Sequence, residues 1–194
     1  MITESIVLRD WPLNIDVDMV LRGQGADARV IRQRRPQLID IAQRAIEDGQ
    51  QLIKPAVVYR RVPVASLHHE NLVLKNGAVL KGELLALHLA PAEQIILLVC
   101  TIGPALGQYV AEVLTTDPAY GLALDSFGSM AVEALSVAAC TFFEDQARQR
   151  SLFTSVPLSP GMIGWPVDKG QPQIFSLLAA DLIGVTLNEY ALMI

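Results

Sequence analysis

"LVLKNGAVLKG", residues 72–82, sets Asn76-Gly77 between two short arms in which apolar residues alternate with others. Alternation at a period of two marks a strand with one buried face, and Asn-Gly favours a tight reversal because both central turn positions call for positive φ. The stretch predicts a β-hairpin, whose strands are antiparallel. It points away from a doubly wound parallel sheet.

The neighbouring segments extend the pattern on both sides. Upstream, "AVVYRRVPV" (56–64) is rich in β-branched residues and reads as a strand, with Pro63 placing it at an edge or an end. Before it, Leu38, Ile41, Ala42, Ala45, Ile46, Leu52 and Ile53 recur at helical spacing, with Pro36 suited to a first turn and Pro55 to a stop. Downstream, "GELLALHLAP" (82–91) reads as a short helix and "EQIILLVCTIG" (93–103) as a strand buried on both faces. Pro104 then opens a helix through Thr116, and a longer one runs from about Ala119 to Arg150 on an apolar stripe that includes Leu124, Phe127, Leu135 and Ala139. Gly128-Ser129 inside it costs about 1 kcal/mol relative to alanine, which calls for close packing or a bound ligand. "QPQIFSLLAADLIG" (171–184) reads as a helix started near Pro172 and stopped by Gly184, and "VTLNEYALMI" (185–194) as an extended end. Helices segregated from hairpin strands define an α+β protein. We expect one unit over 1–194, with 1–55 a helical portion and 56–194 the α+β core.

Composition narrows the function classes. A chain of 194 residues, 52% hydrophobic and 18% charged, has ample material for a core. Its uninterrupted apolar runs, such as "IILLVCTIG" (95–103), are shorter than the roughly 20 residues of a membrane span. "MITESIVLRDWPLNIDVD" (1–18) lacks a basic region followed by an apolar stretch, so the expectation is a cytoplasmic protein. Net charge is −5, and the basic run "RVIRQRR" (29–35) has no interleaved aromatics, so nucleic acid is not an expected partner. Cys100 and Cys140 lack a Cys-x-x-Cys spacing and read as buried thiols.

Few residues present themselves for chemistry. His68 and His69 are adjacent, which sends their side chains to opposite sides of an extended chain, and His88 stands apart from any metal-ligand pattern, so no metal site is expected. No nucleophile elbow, dinucleotide fingerprint or P-loop occurs, and no catalytic residue is assigned. "LSPGMIGWP" (158–166) is the most distinctive loop. Pro160-Gly161 at the centre of Ser159–Met162 suits a type II turn, whose amides can receive a carboxylate or phosphate oxygen. Trp165 offers either a stacking face or a cap on its own core. Asp125 and Glu133, eight apart, are expected near one face of the long helix, beside Gly128-Ser129.

Taken together, "LSPGM", "WP", "IFSLL" and "IGVTLNEYALM", with "IDVDMVLR", "VYRRVPV", "CTIGPAL" and "DSFGSMAVEA" upstream, resemble the C-terminal activation domain of cobalamin-dependent methionine synthase and, more closely, free-standing proteins similar to it. The resemblance covers most of the chain. It implies a twisted antiparallel sheet with flanking helices, S-adenosylmethionine as ligand, and a role in reactivating oxidised cobalamin carried by a partner corrinoid protein or methyltransferase, with a flavoprotein as reductant. It implies a ligand surface of Ser159, Pro160, Gly161, Met162 and Trp165, with Glu133 and Asp125 facing the ligand's amine or ribose and Glu189 as a further candidate. The family's binding motif is an arginine, three residues, then Gly-Tyr. Laid on this chain, it falls on Pro157, Gly161 and Met162, so the guanidinium that pairs with carboxylate is replaced by a residue without a donor. The alternative is a docking or assembly subunit of a corrinoid methyltransferase system that keeps the fold without binding S-adenosylmethionine.

Overall fold

The computed structural model describes residues 4–194. Along the chain lie β1 (Ile6–Arg9), α1 (Val17–Gly23), α2 (Ala28–Arg34), α3 (Gln37–Leu52), β2 (Ala56–His68), β3 (Asn71–Leu74), β4 (Val79–Lys81), α4 (Glu83–His88), β5 (Gln94–Thr101), α5 (Ala105–Val113), α6 (Pro118–Arg148) and α7 (Val167–Phe175), then a 3-10 turn at Ala180–Ile183. The strands form one sheet in the order β1-β2-β3-β4, with β5 also on β2. Both β2–β3 and β3–β4 are antiparallel, so the α+β class holds.

The hairpin forms where Asn76-Gly77 places it, but its turn is one residue longer than a two-residue reversal. Leu74 N–H donates to the Ala78 carbonyl at 2.9 Å and Gly77 N–H to the Leu74 carbonyl at 2.9 Å. Gly77 takes the positive φ, at 86°, and Asn76 instead accepts from Ala78 N–H with its side-chain oxygen at 3.1 Å. Lys75, Asn76 and Gly77 thus make a three-residue loop, in which only the last position needs glycine. β2 outruns its predicted span because a bulge between Val64 and Ser66 lets the strand continue past Pro63.

Three expectations are corrected. β5 is not buried on both faces: Ile95, Leu97 and Val99 are buried while Ile96, Leu98 and Cys100 are half-covered, the pattern of a strand with one buried face. α7 runs Val167–Phe175, starting four residues early with Pro166 as its cap and Pro172 inside it, and it stops well before Gly184, which instead closes the separate 3-10 turn. The Gln173 side chain compensates at the sheet: it accepts from Lys81 N–H at 2.7 Å and donates to Lys81 C=O at 3.2 Å, closing the exposed rim of edge strand β4. The end of the chain doubles back instead of extending, since Thr186 and Ile194 exchange backbone hydrogen bonds at 3.0 and 2.9 Å around a turn in which Ala191 has φ 58°.

The chain gathers into two compact units, one from Met1–Leu8, Val57–Val99 and Cys140–Ile194, the other from Arg9–Ala56 and Cys100–Ala139. The first holds the sheet, with a cluster of Val62, Leu72, Leu80, Leu85, Leu97 and Trp165. The second is helical. There α1 and α3 pack together, and Val20, Leu21, Ala45, Leu124, Phe127 and Leu135 are fully buried or nearly so. Within it, a Cβ on Gly128 would lie 2.9 Å from Leu106 Cδ2, so close packing against α5 accounts for the glycine inside α6. At 31 residues, with a mean hydropathy of 1.4 over its most apolar window, α6 is long and apolar enough to cross a membrane by length and composition; uninterrupted apolar runs understate it. A third of that window is buried inside the protein.

Candidate functional site

The Ser159–Met162 turn forms as its residues dictate. Gly161 takes φ 103°, a region open to glycine and strained for other residues, and Met162 N–H donates to the Ser159 carbonyl at 3.2 Å. The chain then folds back on itself. Gly161 N–H donates to the Trp165 carbonyl at 2.8 Å, Trp165 N–H to the Met162 carbonyl at 2.9 Å, and Ser159 N–H points at the Met162 sulfur at 3.3 Å. Four amides that an anion cradle would need are spent inside the knot.

Trp165 is the plug of that knot. It is 3% exposed, and its indole N–H meets no acceptor among the described residues. A Cβ on Gly82 would lie 2.8 Å from Trp165 Cδ1, and one on Gly170 would lie 2.9 Å from Cε2. Both glycines leave room for the ring. The Gly164 carbonyl accepts from Leu84 N–H at 3.3 Å, fastening the loop to α4. Of the two readings of Trp165, the structure adopts the cap on its own core; it offers no open face for stacking. The loop exposes two large apolar side chains, Met162 at 44% and Ile163 at 97%.

Glu133 lines a cleft of about 540 Å³ in the helical unit. Asp125 is exposed and does not line it, because eight residues are 2.2 helical turns, which leaves the two side chains about 80° apart. Glu189 is exposed in the turn of the C-terminal hairpin, whose Asn188 side chain accepts from the amides of Tyr190 and Leu192 at 3.0 and 2.9 Å. Ser159, Pro160, Gly161, Met162 and Trp165 share the knot in the sheet unit, whereas Asp125 and Glu133 belong to the helical one.

The cleft brings in residues to which the sequence reading gave no role of their own. Met19 comes from the first turn of α1 and Arg22 from its last, and Met130, Ala134 and Val137 accompany Glu133 on α6. A Cβ on Gly23 would lie 3.3 Å from Ser126 Cβ and 3.5 Å from Met130 Cγ, so α1 approaches α6 closely there. The sequence signal available was the i,i+3 pair Met19–Arg22 inside "IDVDMVLR". The residues it meets on α6 lie more than a hundred positions away. A cleft of this size suits a small organic ligand, and its lining, mostly apolar with one acid and one base, suits one that carries charge at an end. No group of three or more metal-ligating side chains gathers among the described residues.

No protein-family model matches this sequence, and no curated protein sequence matches it. Among solved structures, a crystal structure of the MetH reactivation domain bound to AdoHcy superimposes with a TM-score of 0.64, covering 97% of this chain and 74% of that one at 11% identity. The fold is that of the MetH reactivation domain. The expectation drawn from the motifs, an activation-domain fold with an antiparallel sheet and flanking helices, therefore holds at the level of architecture.

Proposed function

We propose that the protein binds S-adenosylmethionine and supports reductive methylation of a corrinoid cofactor carried by a cobalamin-dependent methionine synthase or related methyltransferase, with a flavoprotein as electron donor. The observation that carries this reading is the likeness, over 97% of the chain, to a reactivation domain crystallised with AdoHcy. The cleft beside Glu133 agrees with it in volume and in lining. S-adenosylmethionine would supply a methyl group on a sulfonium, already a good leaving group. The chain's own task is then positioning and exclusion of water, which accounts for a site without nucleophile or metal cluster. Met19, Met130 and Val137 provide apolar walls, and Glu133 a negative charge for a cationic ligand.

Isothermal titration with S-adenosylmethionine, and with S-adenosylhomocysteine as the control lacking the methyl group, tests the proposal. Saturable binding is expected; no binding up to millimolar ligand would overturn it. The second reading, a docking subunit that keeps the fold without the ligand, draws on the spent amides of the Ser159–Trp165 knot and its exposed apolar tip at Ile163. Two variants locate the site. Gly161→Val should leave affinity unchanged if ligand sits in the cleft and weaken it if the turn takes part, and Pro157→Arg should tighten binding only where a carboxylate reaches the turn.

A further inference from the structure

We propose that the cleft of the helical unit is built for the zwitterionic end of an α-amino acid, with Arg22 gripping the carboxylate and Glu133 the ammonium. The inference takes its ligand from the S-adenosylmethionine reading and adds which end enters, and on which residues. Arg22 and Glu133 line one cleft from two helices, yet no ion pair joins them among the described residues. Opposite charges that share a cleft without neutralising each other suit a ligand that carries both signs and no net charge at that end.

The geometry of each charge supports its role. Arg22 Nε donates to the Asp18 carbonyl at 3.4 Å, one turn back on the same helix, which steers the guanidinium and leaves its two terminal nitrogens for a carboxylate fork. Gly23, beside it, lets α1 press on Ser126 and Met130, so the base of the Arg22 side chain is held at a fixed height over α6. Along α6, Met130, Glu133, Ala134 and Val137 follow one another at helical spacing on the cleft side, and the acid is the only charge among them. The thioethers of Met19 and Met130 form a polarisable lining suited to a sulfur-bearing side chain.

The test is isothermal titration of wild type, Arg22→Gln and Glu133→Gln with S-adenosylmethionine and with its decarboxylated form, circular dichroism confirming that each variant folds. A charge-assisted carboxylate contact predicts that wild type binds the decarboxylated ligand about 30-fold more weakly, and that Arg22→Gln loses about 30-fold for S-adenosylmethionine but little for the decarboxylated form. Glu133→Gln should weaken both ligands alike. Binding of S-adenosylmethionine that Arg22→Gln leaves unchanged, or weakens equally for both ligands, overturns this inference and leaves the proposed function standing. If wild type binds no S-adenosylmethionine, the proposed function falls and L-methionine becomes the probe: binding abolished by Arg22→Gln upholds an amino-acid site, and no binding overturns that too.

Discussion

Replacing Gly49 by alanine sets two physical effects against each other. Gly49 lies within α3, where helix propensity alone predicts that alanine stabilises by about 1 kcal/mol. Packing predicts the reverse. A Cβ there would lie 2.4 Å from Phe127 Cδ1 and 2.5 Å from Cε1. Carbon atoms rest about 3.5–4.0 Å apart, so the overlap is roughly 1 Å against two ring atoms at once. Phe127 is 0% exposed and its ring has no open side to move into. Overpacking of a closed core costs about 1–3 kcal/mol, and an overlap of this size belongs at the upper end. The net expectation is a loss of about 1–2 kcal/mol, or about 2–8 °C in Tm for a chain of this length. Urea and thermal unfolding followed by circular dichroism measure it. Shortening the ring with Phe127→Leu should relieve the clash, so the double variant should be more stable than the sum of the singles by about 1 kcal/mol. A Gly49→Ala protein with a raised Tm would refute the packing argument.

Further outcomes follow from Tyr120, Cys140 and Gly82. The Tyr120 hydroxyl donates to Asp48, and Arg44 lies 4.1 Å over the Tyr120 ring centroid, so Tyr120→Phe should cost about 1.5–2 kcal/mol in a urea titration. Burial first, then the bond to Asp48, holds the Tyr120 phenol well above its ordinary range. Its folded pKa exceeds its unfolded one, so its contribution is complete below about pH 10 and is lost as pH rises further; wild type should lose stability more steeply there than Tyr120→Phe. The Cys140 thiol is pushed up by burial and then by Glu144, which predicts slow alkylation by iodoacetamide at pH 8 in a Cys100→Ser background and faster labelling in Glu144→Gln. Gly82→Ala, aimed at Trp165 Cδ1 from 2.8 Å, should lower Tm by several degrees, whereas unchanged stability would mean that the knot gives way easily.

What the sequence reveals divides by the range of the forces involved. The hairpin, α3 and the Ser159–Met162 turn rest on neighbours a few residues apart, and each forms where its own residues place it. Even there, one residue of turn length decides whether Asn76 needs positive φ, and that depends on the register of the arms. α7 was misplaced because two prolines, Pro166 and Pro172, both suit a helix start. The choice falls to contacts elsewhere in the chain, namely Gln173 on the Lys81 edge and Gly170 against Trp165.

The same division runs through the candidate site, and there it bears on function. Ser-Pro-Gly beside a tryptophan reads as an open cradle as long as Gly82 and Gly170 are only two glycines far along the chain; once they press on the ring, the loop becomes a closed knot. Glu133 is legible as an acid on a helix, but the base that lines the same cleft is Arg22, 111 residues earlier, and no periodicity links them. If the cleft takes a carboxylate as proposed, Arg22 is the side chain on its lining able to grip it with two N–H donors, a contact that Pro157 cannot make.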